Sequence, residues 1–165
     1  MKKLRDNTFF HGLNGEQSDY VAGMMNQKNY IAGSIIIPEN TTGDSAYLLI
    51  KGSIRIEKDL IPLIEGYESN PEDRKVLTLN DADNVFFGEV SLLDPGIKRT
   101  ATVKAVSNVE VAEISKETFD KILCERQDVG VVILKNIGIK LSGMLDMSNK
   151  ELSKMITAFT ISLKL

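Results

Sequence analysis

The sequence predicts a mainly β protein with flanking helices: an antiparallel jelly-roll or double-stranded β-helix barrel, with an N-terminal helix and a long C-terminal helix. Three observations predict it. Between residues 34 and 114, short apolar runs rich in Ile, Val, Leu and Phe alternate with turns containing Gly, Asn, Asp or Pro. Many short strands with turns at close intervals fold as antiparallel rolls. A capped segment of helical spacing precedes them, and after them apolar or small positions from Leu134 to Phe159 alternate steps of four and three, the heptad signature of a long helix.

Each element has a local reason. Asn14-Gly15-Glu16-Gln17 reads as an N-cap with a reciprocal Gln three residues on. Tyr20, Val21, Met24 and Met25 follow at helical spacing, and residues 29–33 end this helix. Ser34 to Ile37 is a strand stopped by Pro38, and residues 40–44 are a turn cluster. Residues 46–50 and 53–57 form a hairpin turning at Lys51-Gly52, with Ile54 and Ile56 inward. Residues 60–64 read as an edge strand, because Pro62 interrupts them. Residues 65–74 are an exposed polar loop, and residues 75–79 return to the sheet. Residues 100–106 and 109–114 pair across Ser107-Asn108. Gly43 and Gly52 read as conformational punctuation.

Ser115 caps the next helix, with Glu117 in its first turn. Phe119, Ile122 and Leu123 share one face, and Cys124 beside them reads as a buried, inert thiol. Gly130 marks a bend. From there Leu134, Gly138, Leu141, Leu145, Ser148, Leu152, Met155 and Phe159 make one seam. Ser148-Asn149-Lys150-Glu151 can alternatively cap a separate final helix. The organisation expected is a barrel with its N-terminal helix over residues 1–126 and a C-terminal helix over 127–165.

Composition narrows the function. The 165 residues carry a formal net charge of −3, which argues against a broad electrostatic footprint for nucleic acid or an anionic membrane. Cys124 is the single cysteine, which excludes an internal disulfide and fits a reducing compartment. His11 is the single histidine, so no multi-histidine metal site is expected. The basic start has no apolar run behind it, and apolar runs such as Val131 to Leu134 are far too short to span a bilayer. The expectation is a cytoplasmic protein with no metal. No nucleophile–histidine pairing or paired carboxylates suited to acid/base work are visible, and Asp81 and Asp83 lie in a turn, so no catalytic residue is expected.

The chemistry concentrates in the run from Val85 to Val103. Apolar Val85, Phe86 and Phe87 bring the backbone in, and Gly88 lets it approach another group closely. Glu89 to Leu93 make about one helical turn, stopped before Pro95. A helix start after a glycine offers backbone N–H groups and partial positive charge, to which Val90 and Ser91 belong. Arg99 adds a guanidinium suited to phosphate, and Thr100 a hydroxyl. Ala101 and Val103 then lie on one face of the next strand. Glu89 belongs in such a site if the ligand also carries hydroxyls: the carboxylate accepts from a ribose 2′-OH while Arg99 takes the phosphate.

The run Phe87-Gly88-Glu89-x-Ser91-Leu92-Leu93, followed by Arg99-Thr100-Ala101, resembles the phosphate-binding cassette of cyclic-nucleotide-binding domains. The segment from Tyr47 to Ile56 resembles another stretch of that family, and the spacing from Glu89 to Arg99 is usual for its bacterial members. The resemblance implies a non-catalytic sensor that binds cAMP, with cGMP next, through Gly88, Glu89, Val90, Ser91, Arg99, Thr100 and Ala101. It implies that Leu141, Met144 and Leu145 of the C-terminal helix form a lid over the base. It also implies a homodimer through that helix, with a separate effector protein as a candidate partner. The helix-turn-helix domain that follows the long helix in the activator-protein branch has no counterpart before Leu165, so no direct nucleic-acid binding is expected. The alternative is a ligand-free dimerisation or interaction domain on the same scaffold.

Overall fold

Phe86 and Phe87 are neighbours in the chain yet are buried in different cores. Successive side chains of a strand point to opposite faces, so both faces of this strand are covered. The computed structural model describes residues 2–59, 74–94 and 96–163. Its elements are α1 (Lys2–Arg5), a 3₁₀ turn at Thr8–Phe10, α2 (Gly15–Gly23), β1 (Asn26–Tyr30), β2 (Ile35–Ile37), β3 (Ser45–Lys51), β4 (Ser53–Asp59) and β5 (Arg74–Asn80). A 3₁₀ turn at Asp81–Asp83 leads to β6 (Phe86–Phe87), α3 (Val90–Leu93), β7 (Thr102–Ala105), β8 (Val109–Ser115), α4 (Lys116–Glu125) and α5 (Gln127–Ser162).

Two four-stranded sheets result, with strand orders β1-β8-β3-β6 and β2-β7-β4-β5, and every pairing is antiparallel. This is the expected jelly-roll architecture with its flanking helices. Among the described residues the sheets do not close into a continuous barrel. One core lies between the first sheet and the helices, built on Phe9, Phe10, Leu48, Phe86, Ile114, Phe119, Ile122, Ile133 and Ile137. The other lies between the sheets, built on Ile37, Tyr47, Leu49, Ile54, Phe87, Val103 and Val111. Ala46 and Leu48 of β3 serve the first core, Tyr47 and Leu49 the second. A strand covered on both faces reads as a continuous apolar run, which is why this segment shows no alternation.

Two pairings differ from the sequence reading. Residues 46–50 and 53–57 are not a hairpin, because β3 and β4 belong to different sheets, and β7 and β8 likewise do not pair. At each corner the chain crosses between sheets. Gly52, at φ 94°, makes one crossing, and a Cβ there would strike the Asn108 carbonyl of the other. The two corners are laced together: Ser53 N–H donates to Ser107 Oγ (2.9 Å) and Val106 N–H to the Ser53 carbonyl (2.8 Å). Alternation finds strands but is blind to which strand each one pairs with.

α2 stops at Gly23, before the expected end at residues 29–33, and Asn26–Tyr30 is instead β1, an edge strand on β8. β1 is polar, and four of its five residues are exposed, so only the ladder with β8 marks it. The Asn14–Gln17 capping box and the Ser115 cap are both present. Cys124 is exposed rather than buried, since the buried face of α4 is carried by Phe119 and Ile122. The bend expected at Gly130 falls instead at Arg126 (φ −135°, ψ 69°). Gly130 is buried inside α5, where a Cβ would lie 2.6 Å from Leu123 Cδ2; it is small so that α4 can pack. α5 runs unbroken through residues 148–151, with no separate final helix. The strand expected at 60–64, the loop before Arg74, and Pro95 lie outside the described residues; Arg74 itself opens β5.

Candidate functional site

The site is built where β6 turns into α3. Asn80 accepts from the Ala82 amide and Asp83 from the Asn80 amide, which makes a tight 3₁₀ turn. Asn84 leaves it in the left-handed conformation (φ 51°), one that asparagine tolerates better than most residues. Asn7 Nδ2 donates to the Val85 carbonyl (2.8 Å), so the N-terminal segment clamps the approach of β6. Gly88 then takes φ 78°, and Glu89 begins α3 as its N-cap. The amides of Ser91 and Leu92 close onto the carbonyls of Gly88 (3.3 Å) and Glu89 (3.0 Å). The turn itself therefore uses the Ser91 amide, one of those expected to face a ligand.

Arg99 reaches back across this corner. It is only 9 % exposed. Nη1 donates to the Gly88 carbonyl (3.0 Å) and Nη2 to the Ser45 carbonyl (2.8 Å). Among the described residues no carboxylate forms an ion pair with it. Burial pulls its pKa below the ordinary arginine value, opposed by the fields of Tyr47, Asp44, Glu89 and Glu113. Both glutamates already hold a lysine: Lys140 Nζ lies 2.8 Å from Glu89 Oε2, and Lys28 Nζ lies 2.8 Å from Glu113. Hydrogen bonding to Glu113 holds the Lys28 pKa above its ordinary value against a smaller effect of burial. Burial and the Glu113 charge push the Tyr47 phenol well above its ordinary range. Tyr47 pairs with Glu113 across strands and stacks on Phe87, with centroids 5.5 Å apart.

Lys140 is a residue of this corner that sequence reasoning missed. It projects from α5 over the Phe86 ring at 4.4 Å, donates to the Phe86 carbonyl, and ion-pairs with Glu89. Burial lowers its pKa, and Glu89 opposes that shift. A signal was available: Ile133 and Ile137 are buried in α5, and half-buried Lys140 follows them at helical spacing, so the lysine lies at the edge of the packed face. Gly43 was also missed. A Cβ there would sit 2.7 Å from Arg99 Cζ, and its φ is not positive, so its role is clearance rather than punctuation.

Gly88, Glu89 and Arg99 are thus brought together. Val90 is half-buried at the start of α3, and Ser91 is buried beneath it. Thr100 is exposed and Ala101 half-buried. Leu141 packs against the helix-side core, whereas Met144 and Leu145 are 52 % and 63 % exposed. Among the described residues no group of His, Cys, Asp and Glu is placed to hold a metal ion, and no helix is long and apolar enough to cross a membrane.

The fold is a layered jelly roll whose glycine–carboxylate turn at Gly88-Glu89 faces the buried Arg99. Residues 27–126 match the family model of the cyclic nucleotide-binding domain, and the chain belongs to that family. It is 31 % identical over 129 residues to the cGMP-dependent protein kinase, isozyme 1, of Drosophila melanogaster, spanning 76 % of this chain and 16 % of the kinase. It is 31 % identical over 127 residues to the cAMP-activated global transcriptional regulator CRP of Pasteurella multocida, spanning 76 % of this chain and 54 % of that one. The chain therefore spans only part of the length of these relatives. The Thermus thermophilus catabolite activator protein has the same fold, with a TM-score of 0.74 at 24 % identity over 90 % of this chain and 63 % of that one.

Proposed function

We propose that this chain is a non-catalytic sensor that binds a cyclic nucleotide at the Gly88–Glu89–Arg99 corner and passes the signal through α5. The observation that carries this reading is a buried guanidinium that, among the described residues, has no carboxylate in ion-pair reach, while Glu89 and Glu113 beside it are already paired with lysines. A buried charge left uncompensated is costly, and an incoming phosphate compensates it. Two of the five N–H donors of Arg99 go to carbonyls, and the rest suit a phosphodiester. Glu89 accepts the ribose 2′-OH while sharing Lys140, which ties occupancy of the sugar site to the position of α5. Leu141, Met144 and Leu145 close on the base, with Thr100 at the rim. The order cAMP before cGMP follows the cAMP-activated regulator, of which this chain covers the larger share; the kinase keeps cGMP second. The exposed seam of α5 is the surface for a second copy, and an effector protein reads the change.

Titration calorimetry tests the site. Wild type binds cAMP or cGMP, and Arg99→Ala loses about 2–5 kcal/mol of that binding. Unchanged affinity would remove Arg99 from the site. One observation favours the second reading, a ligand-free dimerisation domain: both Glu89 and Arg99 already have protein partners. No binding of any cyclic nucleotide by wild type would select that reading.

A further inference from the structure

Arg99 does not choose its own position. Its guanidinium runs through a slot between two glycines. A Cβ at Gly88 would lie 2.7 Å from Nη1, and a Cβ at Gly43 would overlap Nε and Nη2 and lie 2.7 Å from Cζ. Real Cβ atoms do not approach that closely, so any side chain at either position displaces the guanidinium. The two glycines differ in kind. Gly88 has φ 78° and needs to be glycine for its backbone alone. Gly43 is not in that region, so only the space beside it requires a missing Cβ.

The segment carrying Gly43 is fixed on both sides of the slot. The Asn40 amide donates to the Arg99 carbonyl (2.9 Å), and the Arg99 amide donates to the Thr41 carbonyl (2.8 Å). Thr41 Oγ1 donates to the Pro38 carbonyl (2.7 Å), and the Glu39 amide donates to Thr102 Oγ1 (3.1 Å). Beyond Gly43, the Lys116 amide donates to the Asp44 carbonyl (2.6 Å), and the Ser45 carbonyl takes Arg99 Nη2. The segment therefore cannot swing away to admit a larger side chain, and the flexible arginine has to yield instead.

We propose that Gly43 is a positioning residue for ligand binding: its missing Cβ, held by this laced segment, sets the Arg99 guanidinium in the place where it meets the phosphate. The consequence for affinity rests on the cyclic-nucleotide reading above; the consequence for the arginine does not. Losing a hydrogen bond to a charged group costs about 10-fold to 100-fold in affinity.

The test is a cycle of Gly43→Ala and Arg99→Lys, with Gly23→Ala as control, because nothing lies within 4 Å of a Cβ at Gly23. Calorimetry with cAMP is expected to show G43A about 10-fold to 100-fold weaker than wild type and G23A unchanged, with the G43A melting temperature close to wild type. In the R99K background, G43A is expected to add no further loss, because the two changes act through one group. In the ¹H–¹⁵N spectrum without ligand, the Arg99 Nε–H signal, assigned by its absence in R99K, should move and exchange faster with water in G43A. Wild-type affinity in G43A, full additivity with R99K, or an unmoved Arg99 signal each overturns the proposal. If wild type binds no cyclic nucleotide while the Arg99 signal still moves, the sensor reading fails and the placement of Arg99 by Gly43 stands.

Discussion

Glu89 is 3 % exposed and would be an expensive charge without Lys140, whose ammonium lies 2.8 Å away. Removing one partner of a buried pair strands the other, whereas removing both can be nearly neutral. Lys140→Met is expected to lower stability by about 2 kcal/mol, a value held down because the lysine side chain is itself 29 % exposed. Glu89→Gln in the Lys140→Met background should recover most of it. Urea unfolding of the four proteins measures the coupling, and additive losses would show that the contact carries no energy. Gly88, Glu89 and Arg99 were legible in the sequence because they fall within a dozen positions and each supplies a chemical property few residues have. Lys140 lies 51 positions from Glu89 and Gly43 lies far from Arg99, so only folding makes them neighbours.

At the scale of elements, α5 is pinned at its start to α2. Asp128 accepts from Arg126 (3.0 and 2.9 Å) and from Gln17 Nε2 (2.9 Å). Arg126 first and Gln17 second hold its carboxyl well below the ordinary 3.8. A carboxylate depressed in the folded state contributes stability that is fully present above its unfolded pKa and is lost as pH falls through the acid range. The stability difference between wild type and Asp128→Asn should therefore be constant near neutrality and shrink below about pH 4. A difference that persists unchanged into acid would assign it to packing. The Asn14 and Ser115 caps were legible because capping is local chemistry. The sheet crossings at Gly52 and Ser107-Asn108 were not, because a turn sequence does not state which sheet receives the next strand.

For the whole molecule, the far part of α5 sets the question of assembly. From residue 142 to 163 every position is exposed, and the seam residues Leu145, Leu152, Met155 and Phe159 stand 63 %, 56 %, 69 % and 66 % exposed. A helix gains most of its stability from packing an apolar face, and this face is left uncovered among the described residues. A second copy pairing along the seam would bury it. Light scattering after gel filtration should give twice the chain mass at micromolar concentration, and Leu152→Glu should give the monomer. A monomeric wild type would leave this stripe to a different partner.

Repeated short strands, local caps, the glycine–glutamate turn with its arginine, and the long heptad helix were all determined by the sequence itself, because each depends on residues within a few turns of one another. Tertiary structure alone decided that polar β1 is a strand, that the two expected pairs are crossings between sheets, that Cys124 faces water, and that Lys140 and Gly43 meet the site. Each of these depends on the approach of segments far apart in the chain. Such approaches are settled by burying both faces of one sheet at once, a condition that no window of sequence contains.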